Sequence, residues 1–202
     1  GLESEYVLCS LKDRKGDLWF GTSKGLTHYD LRTEEFQTYN AHNGTILHIQ
    51  DIAEDQKGNL WLATAESGLY KFDTKKKKHK KNVLEIPSNS LKNVETNQNG
   101  LLIVSTENSG VYLCDIDRNK IDQIQIKKKA PSNLTVNNII ITDQNNAILV
   151  TNQGAYDLNL KTGKTNVKFA NLDKKYGLQS ISDLIIEDGI GWLVCTSNNG
   201  LF

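Results

Sequence analysis

The side chains best suited to chemistry in this 202-residue sequence are dispersed rather than gathered. His28, His42, His48 and His79 lack the i, i+4 or cysteine-paired spacing that zinc requires. Cys9, Cys114 and Cys195 are odd in number, widely separated and each set in an apolar run. That pattern reads as core packing and not as a disulfide framework. No Gly-x-Ser-x-Gly elbow, P-loop or histidine-rich signature is present, so no metal and no cofactor is assigned. The densest charge is Lys75-Lys76-Lys77-Lys78-His79-Lys80-Lys81, which has the composition to bind nucleic acid, anionic lipid or a sulfated polysaccharide by counterion release. No aromatic residue interleaves with these lysines, so a solvated surface turn is the simpler reading.

Those residues sit on a repeat. One copy runs Asp13-Arg-Lys-Gly16-Asp-Leu-Trp19-Phe-Gly-Thr22-Ser-Lys-Gly25-Leu26, then Tyr29-Asp30; the next runs Asp55-Gln-Lys-Gly58-Asn-Leu-Trp61-Leu-Ala-Thr64, then Gly68-Leu69-Tyr70 and Phe72-Asp73. A third keeps Asn97, Gly100, Thr106 and Gly110, with Ile103 in place of Trp. A fourth is read with Asp143 at the Asp position and Asn146 at the Gly position, leading to Thr151 and Gly154. A fifth begins with Glu187, Trp192 and Thr196 and reaches Phe202. The intervals between Thr22, Thr64, Thr106, Thr151 and Thr196 are 42, 42, 45 and 45 residues, a length that suits four short strands with turns.

Apolar runs of four to six residues, separated by Asp, Asn and Gly and lacking a 3.6-residue period, make the chain all-β. The predicted fold is a β-propeller of four-stranded antiparallel blades, here an incomplete sector of about four and a half. Blades are placed at 6–40, 46–86, 91–127, 135–170 and, truncated, 181–202. In the first, strands are expected over Tyr6 to Leu11, Leu18 to Thr22, Gly25 to Asp30 and Glu35 to Tyr39. The Asp-x-x-Gly segment is then a tight turn, with Asp capping backbone donors and Gly supplying positive φ. The Trp positions face neighbouring blades.

The run Gly16-Asp-Leu-Trp19, together with Thr22-Ser-Lys-Gly25-Leu26, resembles the two-component regulator propeller repeat. The resemblance implies the periplasmic sensor region of a hybrid two-component histidine kinase. It further implies recognition of an oligosaccharide and regulation of an attached kinase. The kinase would lie outside this chain, and the segment itself would be non-catalytic. An Asp-x-x-Gly turn is shared with sialidases, another propeller family. Glycoside cleavage needs paired carboxyl groups and, in sialidases, clustered arginines. Only Arg14, Arg32 and Arg118 are available, each at a predicted turn.

Ligand contact is expected on the end formed by blade-to-blade connections and second-to-third strand turns. Its residues are Asn40, His42, Asn43, Glu66, Ser67, Ser88, Asn89, Glu107, Asn108, Ser132, Asn133, Asn198 and Asn199. Amides and carboxylates there suit sugar hydroxyls. The alternative is a structural propeller that mediates dimerisation or binds a protein partner. Lys+Arg and Asp+Glu balance at 24 each, so no global field selects nucleic acid. No apolar stretch approaches eighteen residues. With no Met and a Gly1-Leu2 start, the sequence reads as an excised or processed segment whose targeting signals lie outside it, and the family resemblance implies membrane attachment only through other parts of the parent. The open sector is expected to meet further blades of its parent or another copy of itself.

Overall fold

The computed structural model describes residues 2–41, 44–81, 84–97, 99–124, 134–170, 181–187, 191–196 and 200–201. Blade one comprises β1 (Val7–Lys12), β2 (Leu18–Thr22), β3 (Gly25–Asp30) and β4 (Glu35–Tyr39). Blade two comprises β5 (Ile49–Glu54), β6 (Leu60–Thr64), β7 (Leu69–Asp73) and β8 (Lys78–Lys81). Blade three holds β9 (Leu91–Thr96), β10 (Leu101–Thr106), β11 (Val111–Asp115) and β12 (Lys120–Ile124). Blade four holds β13 (Val136–Asp143), β14 (Asn146–Thr151), β15 (Gly154–Asn159) and β16 (Thr165–Ala170). A fifth sheet has β17 (Ile181–Glu187), β18 (Gly191–Thr196) and β19 (Gly200–Leu201). Every sheet is an antiparallel meander in chain order, and the first strands β1, β5, β9, β13 and β17 contact one another successively.

The signature works through one carboxylate. In blade one, the N–H groups of Lys15 and Asp17 donate to Asp13 Oδ1 at 2.9 and 3.0 Å, while Trp19 Nε1 donates to Oδ2 at 2.9 Å. Asp55 repeats this with Lys57, Asn59 and Trp61. Gly16 and Gly58 take φ of 93° and 76°, the left-handed region where a Cβ is unfavourable. Thus the same Asp closes the turn and anchors the ring that fills the core. Blade three has no indole at Ile103, and Asn97 suffices: its Oδ1 takes Asn99 and Leu101 N–H, and its Nδ2 donates to Gln144 O of blade four. The threonine is equally local, with Oγ1 of Thr22, Thr64, Thr106 and Thr151 donating to the carbonyls of Gly25, Gly68, Gly110 and Gly154.

Core clusters lie between blades. Trp19, Leu26 and Ala41 of blade one pack with Ile52, Leu62 and Phe72 of blade two. Trp61, Ala63 and Leu69 pack with Val94, Leu102 and Cys114 of blade three. Trp19 and Trp61 are 4% and 0% exposed, which makes both core residues. Burial pushes the thiols of Cys9 and Cys114 up to about 12, so they stay protonated.

Three sequence assignments shift. In blade four the ladder pairs Ile141 with Ala147, as Lys12 pairs with Leu18. Thr142, not Asp143, therefore holds the Asp position and Asn145 the Gly position. Asn146 is the first residue of β14, has no positive φ, and gives its Nδ2 hydrogens to Asp143. A bulge between Ile141 and Asp143 replaces the left-handed turn residue. In the fifth sheet Ile185 pairs with Leu193, as Leu11 pairs with Trp19, so Leu193 and not Trp192 occupies the Trp register. The lysine run is only half a turn, because Lys78 to Lys81 form the outer strand β8.

Candidate functional site

The two ends of the sector differ in shape. Turns between second and third strands and the blade-to-blade connections form one end; turns between first and second and between third and fourth strands form the other. Of the residues expected to touch ligand, Asn40, Glu66, Asn89, Glu107 and Asn108 are exposed on the first end, with Ser67 and Ser88 half-buried. The fold joins some of them: Gly68 N–H donates to Asn89 O at 2.9 Å and Glu107 N–H to Ser90 O at 3.1 Å. Glu66-Ser67, Ser88-Asn89 and Glu107 consequently form one patch across blades two and three, while Asn40 stands on blade one. Ser88 Oγ is already committed to Ser90 O. His42, Asn43, Ser132, Asn133, Asn198 and Asn199 lie outside the described residues.

The opposite end carries a polar concavity of about 530 Å³ lined by Arg14, Glu54, Gln56, Thr96, Asn97, Asn99 and Gln144. Turns of four blades thus converge on it. Arg14 is pinned, donating from its guanidinium to Asp55 O at 2.6 Å and Gln56 O at 3.2 Å, while its backbone N–H reaches Glu54 Oε2 at 3.0 Å. Thr96 Oγ1 donates to Glu54 O at 2.7 Å and closes the floor. Asn99 Nδ2 donates to Gln144 O at 3.2 Å. The side-chain amides of Gln56 and Gln144 donate to no partner among the described residues. An amide offers both donors and an acceptor, which matches a hydroxyl-rich ligand. A second concavity of about 450 Å³ adjoins it between blades three and four, with Asp115, Asp117, Arg118 and Lys161 in its wall.

Between the two ends runs a polar seam along the first strands. Asp51 Oδ2 accepts Val94 N–H at 2.9 Å across the blade boundary and Oδ1 accepts Ile52 N–H at 2.9 Å. Asn93 Nδ2 reaches Asn137 O, Asn137 Nδ2 reaches Ile181 O, and Asn138 Nδ2 reaches Asp183 Oδ1. Burial pushes Asp51 up to about 6; burial and then the charge of Asp51 push Glu95 up to about 7. Sequence reasoning passed over this seam and the concavity. The available signal was a polar residue recurring at one position of the first strand in repeats two to five, at Asp51, Asn93, Asn138 and Asp183, where the first repeat has Cys9.

The architecture defines a β-propeller sector, with its distinctive polar surfaces at the ends and along the inner strands. Comparison places it further: the two-component regulator propeller model matches residues 1–24 and 43–66. The chain is therefore a propeller sector in which residues 1–24 and 43–66 match the two-component regulator propeller repeat. Among solved structures, two extracellular domains of hybrid two component systems from B. thetaiotaomicron share its fold. One has a TM-score of 0.75 at 18% identity and covers 100% of this chain and 28% of its own. The other has a TM-score of 0.63 at 21% identity and covers 100% and 32%. The β-propeller domain of Cps50 from Myceliophteria thermophila gives a TM-score of 0.68 at 17% identity, covering 96% and 64%. The chain spans about a third of the length of the two extracellular domains. None of the curated proteins matches this sequence.

Proposed function

We propose that the chain is a non-catalytic sensory segment of a two-component system, recognising a carbohydrate or similar small polar ligand and regulating an attached histidine kinase from the periplasmic side of the inner membrane. The observation that carries this reading is the convergence of uncommitted amides from Gln56 and Gln144 on a polar concavity, in a chain bearing the two-component regulator repeat. Its competitor for the same ligand is the Glu66–Asn89–Glu107 patch on the opposite end. Thermal unfolding against an oligosaccharide panel tests the reading. A ligand at about 100 times its Kd adds about 2.7 kcal/mol. Gln56→Ala with Gln144→Ala abolishes the gain if the concavity binds, and Glu66→Ala with Asn89→Ala does so if the loop patch binds. A panel without any stabilising sugar refutes carbohydrate recognition by this chain.

One observation favours a second reading, an interaction scaffold. On the face of blade one turned away from blade two, Val7 and Phe36 are 44% and 38% exposed, with Phe36 stacked 4.6 Å from Tyr29. Ile49 and Phe72, which correspond in blade two to Val7 and Tyr29, are fully buried against blade one. A concentration-dependent mass in light scattering supports self-association through this face.

A further inference from the structure

We propose that the lysine-rich hairpin of blade two, residues 73–81, is a docking strip for a linear sulfated polysaccharide; this rests on the charge geometry of the rim and not on the ligand reading above. Lys75, Lys76, Lys77, Lys78, Lys80 and Lys81 are all exposed, in a chain whose formal charge is zero. Within the ladder Lys80 lies directly opposite Lys71, an arrangement of like charges that works against the sheet. Compensation is sparse. Asp73 stands 3.9 Å from Lys76 and Asp55 3.8 Å from Lys71, while Asp73 Oδ1 is also spent on the N–H groups of Lys75 and Lys76. Among the described residues, Lys75, Lys78, Lys80 and Lys81 have no acidic partner within ion-pair distance.

Lysines on an outer strand can serve simply to block edge-to-edge pairing. The other outer strands show that this function does not need so many: β4 has none, β12 has only Lys120 and β16 only Lys168. The surroundings select the shape of the anion. Exposed Glu34 and Glu35 stand on the rim of blade one, and exposed Asp117 and Asp122, paired with Lys57 at 2.8 Å and Lys120 at 2.6 Å, on that of blade three. An anionic bilayer or a duplex broad enough to rest on β8 would also meet these carboxylates. A single chain can follow β8 between them, where side chains two apart are about 7 Å from one another. Single-stranded nucleic acid needs free aromatic faces for stacking. Here the neighbouring rings of Tyr39 and Tyr70 already lie beneath Lys77 and Lys81, at 5.9 and 5.8 Å. Sulfate esters stay ionised and bind such ammonium rows by releasing counterions.

The test measures heparin affinity of the whole 202-residue chain over a salt series, with unsulfated dextran, anionic phospholipid vesicles and a single-stranded oligonucleotide as the other probes. In one variant Lys75, Lys78, Lys80 and Lys81 become Gln; in a control of equal charge Lys15, Lys24, Lys161 and Lys164 become Gln. The strip variant should lose at least about tenfold in affinity at about 50 mM salt and shallow the log–log salt slope by roughly 3, with the control near wild type. Replacing the same four strip lysines with Arg should preserve binding, which separates charge from folding. The proposal is overturned if both Gln variants weaken equally, if the Arg variant fails to bind, if wild type ignores heparin at low salt, or if vesicles or the oligonucleotide bind as tightly as heparin.

Discussion

Glu95 offers a quantitative probe of the seam between blades. Its carboxyl is half-buried on β9, and burial together with the charge of Asp51 raises it from 4.5 to about 7. Below pH 4.5 it is protonated whether the chain is folded or unfolded, and it costs nothing. Between pH 4.5 and about 7 the unfolded chain releases the proton and the folded one retains it, so stability falls as pH rises. Above about 7 the penalty is constant. At about 1.4 kcal/mol for each pH unit separating the two values, it reaches about 3 kcal/mol. Glu95→Gln keeps the shape and cannot ionise. In urea unfolding at pH 5, 6, 7 and 8, wild type should therefore lose about 2–3 kcal/mol more than the variant between the extremes. Asp51, raised to about 6, titrates in both proteins and leaves a shallower common slope. Parallel pH profiles for the two proteins, or a variant less stable than wild type at pH 8, would refute a buried ionisable Glu95. Asp51→Asn is a poorer probe, because it also disturbs the acceptor that Val94 N–H uses.

Trp61→Phe breaks the indole bond to Asp55 and leaves a void in a fully buried site; calorimetry should show a loss of about 2 kcal/mol, and Trp61→Ala about 3–5. Thr64→Val is nearly isosteric but deprives Gly68 O of a donor and Ser67 N–H of an acceptor, so chemical denaturation should register a loss of about 1–3 kcal/mol, with Thr64→Ser close to wild type. Glu34 holds φ of 60°, and Gly163 occupies the same turn position in blade four at 65°. Glu34→Gly is expected to raise stability by about 0.5–1 kcal/mol; a lower melting temperature would show that the side chain outweighs the backbone strain.

The strands of blade one were legible because their signals are short-range. Those predicted at 18–22, 25–30 and 35–39 coincide with β2, β3 and β4, and the first is displaced by one residue to Val7–Lys12. Asp13 reaches only to Trp19 and Thr22 only to Gly25, so each contact lies within one stretch of sequence. The register of blade four was not legible. Asp143 imitates the motif one position late, and only the pairing of Ile141 with Ala147 reveals Thr142 in its place. Trp192 misled similarly, since a conspicuous residue next to the correct position looks like the position itself. The lysine run was recognised as rim surface, yet half of it became strand because Phe72 and Tyr70 offered pairing partners to His79 and Lys81.

By itself, the sequence determined the period, the all-β meander and the turn chemistry. These depend on groups about ten residues apart or fewer, whose geometry is set by carboxylate acceptors, glycine φ and alternating burial. Tertiary structure alone decided that Gln56 and Gln144 border one concavity, that Asp51 caps Val94, and that Glu95 is buried where it feels the charge of Asp51. Each of those joins residues of different blades. Blade stacking selects apolar faces by volume, and it carries along whichever polar groups happen to share the same height on the inner strands or the same end of the sector. Repeating residues therefore wrote the scaffold, while the non-repeating ones acquired their neighbours only when the blades came together.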